Sequence, residues 1–142
     1  MKTILINSII MLFGMMLLPG NSGILTEKEE ILGQPSSALH ELVIKQIDGE
    51  WRVVRKDDES TGTIFVKPGD RVRWTAEGSD LSFQFDDQAL FGDGSRSIRD
   101  GNMLNLVVGR SARVGTYTYA VFVHNDFVYA RGDSPPRIFV VG

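Results

Sequence analysis

From Ala38 onward the chain is cut into short runs by turn residues, and this constrains its fold more than any other feature. Asp48-Gly49 separates "HELVIKQ" from "WRVVRK", and Lys67-Pro68-Gly69-Asp70 separates "TIFV" from "RVRWTA". An Asp-Gly pair supplies the positive φ that a tight hairpin turn requires. A Pro-Gly pair suits a type II turn, with Gly69 taking the positive φ. "LSFQF", "MLNLVV", "TYTYAVFV" and "RIFVV" follow, separated by "GRSARVG", "HNDF" and the irregular return "VYARGDSPP". The runs are rich in β-branched and aromatic residues and show little helical period. Seven or eight short strands are therefore predicted, in an all-β antiparallel sandwich or barrel over residues 38–142. Asp86 to Gly101, "DDQALFGDGSRSIRDG", reads as a long loop, with Ala89 to Phe91 tucking it against the sandwich.

The N-terminus has a different character. Met1-Lys2 gives one positive charge, and Ile4 to Leu18 is apolar apart from Asn7 and Ser8. That run is shorter than the ~20 residues of a membrane span. "PGNSG" then supplies small residues suited to cleavage after Gly20, Ser22 or Gly23. Residues 1–23 read as a signal peptide, so the protein is expected to be exported, periplasmic or secreted, with no stable membrane insertion after cleavage. Residues 24–37 read as a polar linker or a short helix, because Thr26 and Glu29 have capping-box spacing.

The chain of 142 residues has a net charge of −3 and no cysteine. Mild acidity gives no footprint for nucleic acid. The absent cysteine removes disulfides, thiolate catalysis and lipid attachment at the N-terminus. Stability must come from packing and strand pairing alone.

In "TYTYAVFV" the alternation places Tyr117, Tyr119, Val121 and Val123 on one face, which reads as the interior. Thr116, Thr118, Ala120 and Phe122 take the other face. Phe122, Val123, Phe127 and Tyr129 read as core and cross-strand packing rather than as an exposed patch.

At "VKPGDRVRW", Val66 to Trp74, the chain resembles the cupredoxins, the plastocyanin- and azurin-type domains. The likeness returns at "GTYTYAVFVH", which is similar to the family's G-x-Y-x-Y/F-x-C-x-x-H segment, and at the closing "RIFVV". The resemblance implies a Greek-key β-sandwich of two sheets. It also implies copper held by two histidines, a cysteine and often a methionine at one end of the sandwich, which makes a reversible one-electron site. Here the cysteine position is Val121 and the first histidine position falls at Leu81. The second histidine position is His124, and no methionine follows it. The resemblance therefore implies a cupredoxin-like domain without type 1 copper ligands.

Other features point to no established chemistry. His124 reads as a polar turn residue and is a weak candidate metal ligand beside Asn125 and Asp126; His40 lies far away in sequence. Ser79, His124 and Asp126 contain the residue types of a hydrolytic triad, but no nucleophile motif marks one. "DGSRSIRD" lacks the oxygen-donor spacing of a calcium loop. Asp57 and Asp58 lie in a charged turn. Arg131 to Asp133 spells the tripeptide Arg-Gly-Asp, next to prolines that stiffen the approach to the last strand.

The function expected is that of a non-catalytic binding or interaction module of the cell envelope or extracellular space. Its partner is an unknown protein or small ligand, and no cofactor is expected. The expected surface is built from Leu81, Phe91, His124, Asp126, Phe127 and Arg131. The alternative is a copper-binding or electron-transfer cupredoxin, and a hydrolase using the 86–101 loop is the third reading.

Overall fold

The computed structural model describes residues 37–133 and 135–142. The signal peptide read over 1–23, and all of the segment read over 24–37 except Ser37, lie outside them. Ser37–Gly142 forms a compact unit. Among the described residues no helix is long and apolar enough to cross a membrane.

The unit is an all-β sandwich of ten strands: β1 (Leu39–Ile47), β2 (Glu50–Arg55), β3 (Ile64–Val66), β4 (Arg71–Ala76), β5 (Leu81–Phe85), β6 (Ser95–Ile98), β7 (Met103–Val107), β8 (Gly115–Val123), β9 (Val128–Tyr129) and β10 (Arg137–Val140). One sheet runs β2-β1-β4-β7. The other runs β3-β10-β8-β5-β6, with β9 also paired to β8. Pairing is antiparallel except for β1 with β4 and β10 with β3, which are parallel.

The turns follow from their residues. Asp48 (φ 52°) and Gly49 (φ 80°) both take positive φ, and Ile47 pairs with Glu50 across them. Two positive φ values match the right-handed twist of the flanking strands. Gly69 takes φ 93°, and Asp70 N–H donates to the Lys67 carbonyl at 2.9 Å, as a Pro-Gly turn requires.

Three expectations need correction. The sheets are mixed rather than antiparallel throughout, since β1 pairs with β4 and β10 with β3 in parallel. The described residues form ten strands, because β6 and β9 form in segments that read as loop and irregular return. The segment 86–101 is not all loop: Ser95–Ile98 pairs with β5 in the register Leu81↔Ile98 to Gln84↔Ser95. β6 lies at a sheet edge and carries polar side chains, so it shows no alternation to read. The expected tuck does occur, since Leu90 and Phe91 are 1% and 9% exposed.

The core forms where the inward faces meet. Tyr117, Tyr119, Val121 and Val123 of β8 all point inward, as alternation predicts. Trp74 sits at the centre, fully buried, with ring centroids 5.5–5.8 Å from Phe83, Phe85, Phe91 and Tyr119. Its indole N–H donates to the Tyr119 hydroxyl at 3.2 Å, so this polar group is not stranded in the core. Burial pushes the Tyr119 hydroxyl pKa well above the ordinary phenol value. The Tyr117 hydroxyl donates to the Arg113 carbonyl at 2.7 Å and accepts from the Arg113 N–H at 2.9 Å, pinning the approach to β8.

Candidate functional site at the β8–β9 hairpin

The end of the sandwich where β8 stops is built from three turns. His124 to Phe127 links β8 to β9. The His124 N–H donates to the Asp80 carbonyl at 3.1 Å, and the Asn125 N–H donates to Ser79 Oγ at 3.0 Å. The Asn125 side-chain amide donates to the Gly78 carbonyl at 2.7 Å. The third turn joins through Asp100, whose Oδ1 accepts from the Gly78 N–H at 2.7 Å and whose own N–H donates to Asp80 Oδ1 at 2.8 Å. Short polar side chains thus satisfy the backbone of turns that have no strand partners.

His124 follows Val123, the last inward residue of β8, and lies exposed on the outer side. Its Nε2 is 2.7 Å from Ser82 Oγ, and Ser82 Oγ is 3.2 Å from Ser97 Oγ. Ser82 and Ser97 are cross-strand partners on the outer face of β5 and β6. The imidazole also meets the outward ring of Phe122 edge-on, at 5.4 Å and 80°.

The residues at the copper-ligand positions do not fit a type 1 copper centre. Val121 is fully buried and pairs with Phe83, while Leu81 is 1% exposed and pairs with Val123. Both face the apolar core, where neither offers a donor. His124 turns to the opposite face and spends its Nε2 on Ser82. His40 is engaged elsewhere, its Nε2 2.9 Å from Asp70 Oδ2. Among the described residues no three His, Cys, Asp or Glu side chains are grouped to hold a metal ion.

The triad types are also dispersed. Ser79 is 1% exposed, and its Oγ donates to the Asp80 carbonyl at 2.7 Å. Asp126 Oδ2 accepts from Trp51 Nε1 at 2.6 Å and from Gln46 Nε2 at 3.3 Å. Ser82 is the hydroxyl that meets His124, and Asp126 does not back the imidazole.

The expected surface residues divide. His124, Asp126, Phe127 and Arg131 are exposed at or beside the hairpin. Leu81 lies beneath it in the core. Phe91 packs on Phe85 at 5.0 Å, and Phe85 is at the opposite end of β5 from Leu81. Arg131 is fixed through its backbone: its N–H donates to the Trp51 carbonyl at 2.8 Å, and its carbonyl accepts from the Val53 N–H at 2.6 Å. In the same tripeptide, Asp133 Oδ2 accepts from the hydroxyls of Thr61, at 2.9 Å, and Thr63. Bonds from Thr63, then Thr61 and the local backbone, outweigh burial and hold this carboxyl below its ordinary pKa. The Arg-Gly-Asp triplet is a seam on β2 and the 61–63 segment, not a displayed loop.

The aromatic residues depart most from expectation. Val123 is core, but Phe127 is 80% exposed and Tyr129 62% exposed. Phe122 is half-buried between them, with centroids 5.3 Å from Tyr129 and 6.5 Å from Phe127. The reason is parity: Phe122 and Tyr129 are cross-strand partners on the outer face. Phe127 also has φ 54°, an unfavourable conformation for a bulky side chain. Ser82, Gln84 and Ser97 complete this face.

No family model matches the chain, and no curated protein matches it. Among solved structures it is similar to amicyanin from Paracoccus versutus, with 14% identity, a TM-score of 0.45, and coverage of 78% of this chain and 87% of that one. It is similar to a purple cupredoxin from Nitrosopumilus maritimus, with 17% identity, a TM-score of 0.44, and coverage of 71% and 98%. A Cu(I) form of an amicyanin variant gives 17% identity, a TM-score of 0.43, and coverage of 78% and 88%. These are cupredoxins, the family that the chain's own turn and strand motifs resemble.

Proposed function

We propose that this chain is a non-catalytic binding module of the cell envelope or extracellular space, working without a type 1 copper site through the outer face at the β8–β9 hairpin. The observation that carries the reading is Phe127, an aromatic residue 80% exposed in a left-handed conformation, beside Phe122 and Tyr129. Exposing large rings and straining a bulky residue both oppose stability, and such features cluster at binding surfaces. The turns beneath are tied down by side-chain bonds, so the rings sit on a fixed base. The apolar leader read over 1–23 supports export.

Retention of the purified protein on immobilised envelope extract tests the reading. A Phe127→Ser/Tyr129→Ser variant should melt close to the wild type and be retained far less. Equal retention of the two proteins at equal stability overturns the assignment of this surface.

A further inference from the structure

A groove of about 290 Å³ crosses the outer face of the second sheet beside the hairpin. Ala120, Phe122, Tyr129, Ser82, Gln84 and Ser97 line it. The groove exists because of Ala120, the smallest outward side chain between Thr118 and Phe122 on β8. Resting on the binding-module reading, we infer that this groove is a binding site for a neutral polyhydroxylated ring, one sugar residue of a glycan chain.

The side chains select this chemistry. Serine hydroxyls and the Gln84 amide each both donate and accept hydrogen bonds, as do the hydroxyls of a sugar. The Ser82 and Ser97 hydroxyls are already ordered by the contact with His124 Nε2 at 2.7 Å and their own contact at 3.2 Å. Phe122 and Tyr129 meet at 71°, which leaves an apolar corner for the C–H face of a ring. No carboxylate lines the groove. Its one cation, Arg96, is held by Asp93 Oδ2 at 2.8 Å. A charged ligand would find no free counter-charge, so a neutral one is favoured.

A second depression of about 410 Å³ continues the surface, lined by Ala130, Pro135 and Pro136 and sharing Ala120 and Tyr129 with the first. Tyr129 therefore stands between two adjoining subsites. A chain of sugars can occupy both, whereas one sugar fills only the first. The larger cleft of about 510 Å³ near Leu39 and Phe65 is a poorer candidate. Its charged rim is already paired, Arg55 with Asp57 at 2.8 Å and Lys56 with Glu41 at 3.4 Å.

The test is a titration of the purified protein with glucose, cellohexaose, maltohexaose, xylohexaose and chitohexaose, followed by NMR and intrinsic fluorescence. At least one hexasaccharide should bind about tenfold or more tighter than glucose, because it spans both subsites. Tyr129→Ala should weaken that binding by about tenfold. Ser82→Ala should weaken it less, and Phe65→Ala, outside the groove, should leave it unchanged. All three positions are on the surface, so thermal melts should confirm folding. Four results overturn the inference: no hexasaccharide binding at millimolar concentration, no dependence on chain length, binding indifferent to Tyr129→Ala, or displacement by tetramethylammonium or a sulfated oligosaccharide. If envelope retention still depends on Phe127 and Tyr129 while every sugar fails, the binding-module reading stands and the glycan assignment alone falls.

Discussion

The indole N–H of Trp51 donates to Asp126 Oδ2 at 2.6 Å, joining the second strand of one sheet to the hairpin tip of the other. Trp51 is 8% exposed, so its donor has little access to water. The bond ties the hairpin tip to β2 and occupies the carboxylate two residues from His124. That geometry leaves His124 without Asp126 as an orienting acid.

Removing the acceptor should therefore loosen the hairpin. Asp126→Ala leaves a buried N–H unpaired and should cost roughly 1–2 kcal/mol. Asp126→Asn retains an acceptor and should cost less. Urea unfolding checks the order of the two variants. Amide hydrogen exchange should show faster opening at His124 and Asn125 in the alanine variant, while the Trp74 core remains protected.

Installing the ligand types of cupredoxins should not create their copper chemistry. Position 121 faces the core, while His124, in the turn beyond β8, has its Nε2 against Ser82 on the outer face, so in this arrangement the two side chains point away from each other. A Leu81→His/Val121→Cys variant should give no intense visible band on addition of copper(II). It should also be less stable, because it places polar groups in an apolar site. An absorbance titration decides, and a strong copper–thiolate band in the folded variant would show that this end can rearrange.

Strand alternation and turn chemistry made most of the sandwich legible in the sequence. Tyr117, Tyr119, Val121 and Val123 share a face because β8 is regular over its whole length. Asp48-Gly49 and Pro68-Gly69 have few other ways to fold. The aromatic outer face was harder to read. Phe127 and Tyr129 are residue types that are usually buried, and their exposure depends on where β8 stops and how the hairpin turns. β6 was invisible because Ser95, Arg96 and Ser97 form an edge strand that buries almost nothing. The contact of Ser82 with His124 comes from pairing β5 with β8, which residue spacing does not encode.

Asp70 gives a pH dependence. Its Oδ1 accepts from the Ala38 N–H at 3.0 Å, and its Oδ2 accepts from the Lys67 N–H at 3.0 Å and contacts His40. Burial raises its pKa, but the His40 and backbone bonds together outweigh this and leave the carboxyl below its ordinary value of 3.8. A depressed carboxyl pKa stabilises the fold fully above the unfolded value. That contribution is lost as pH falls through the folded one. Wild type should therefore exceed Asp70→Asn in stability at neutral pH, with the gap narrowing below about pH 4. Melting curves from pH 7 to pH 2 measure it, and a gap that widens on acidification would reverse the assigned sign.

Two glycines separate backbone strain from close packing. Gly49 has φ 80°, yet a Cβ there would meet nothing within 4 Å. Alanine at this position should cost about 1 kcal/mol, from the left-handed conformation alone. Gly62 has no such φ, but its Cβ would lie 2.3 Å from the Val53 carbonyl oxygen. That oxygen is backbone and cannot swing away. Gly62 also sits between Thr61 and Thr63, whose hydroxyls anchor Asp133, so any shift spreads to the return that carries Pro135 and Pro136. Gly62→Ala should cost roughly 2–3 kcal/mol. Paired urea titrations rank the two variants, and a larger cost at Gly49 would mean that the 61–63 segment does not press against β2.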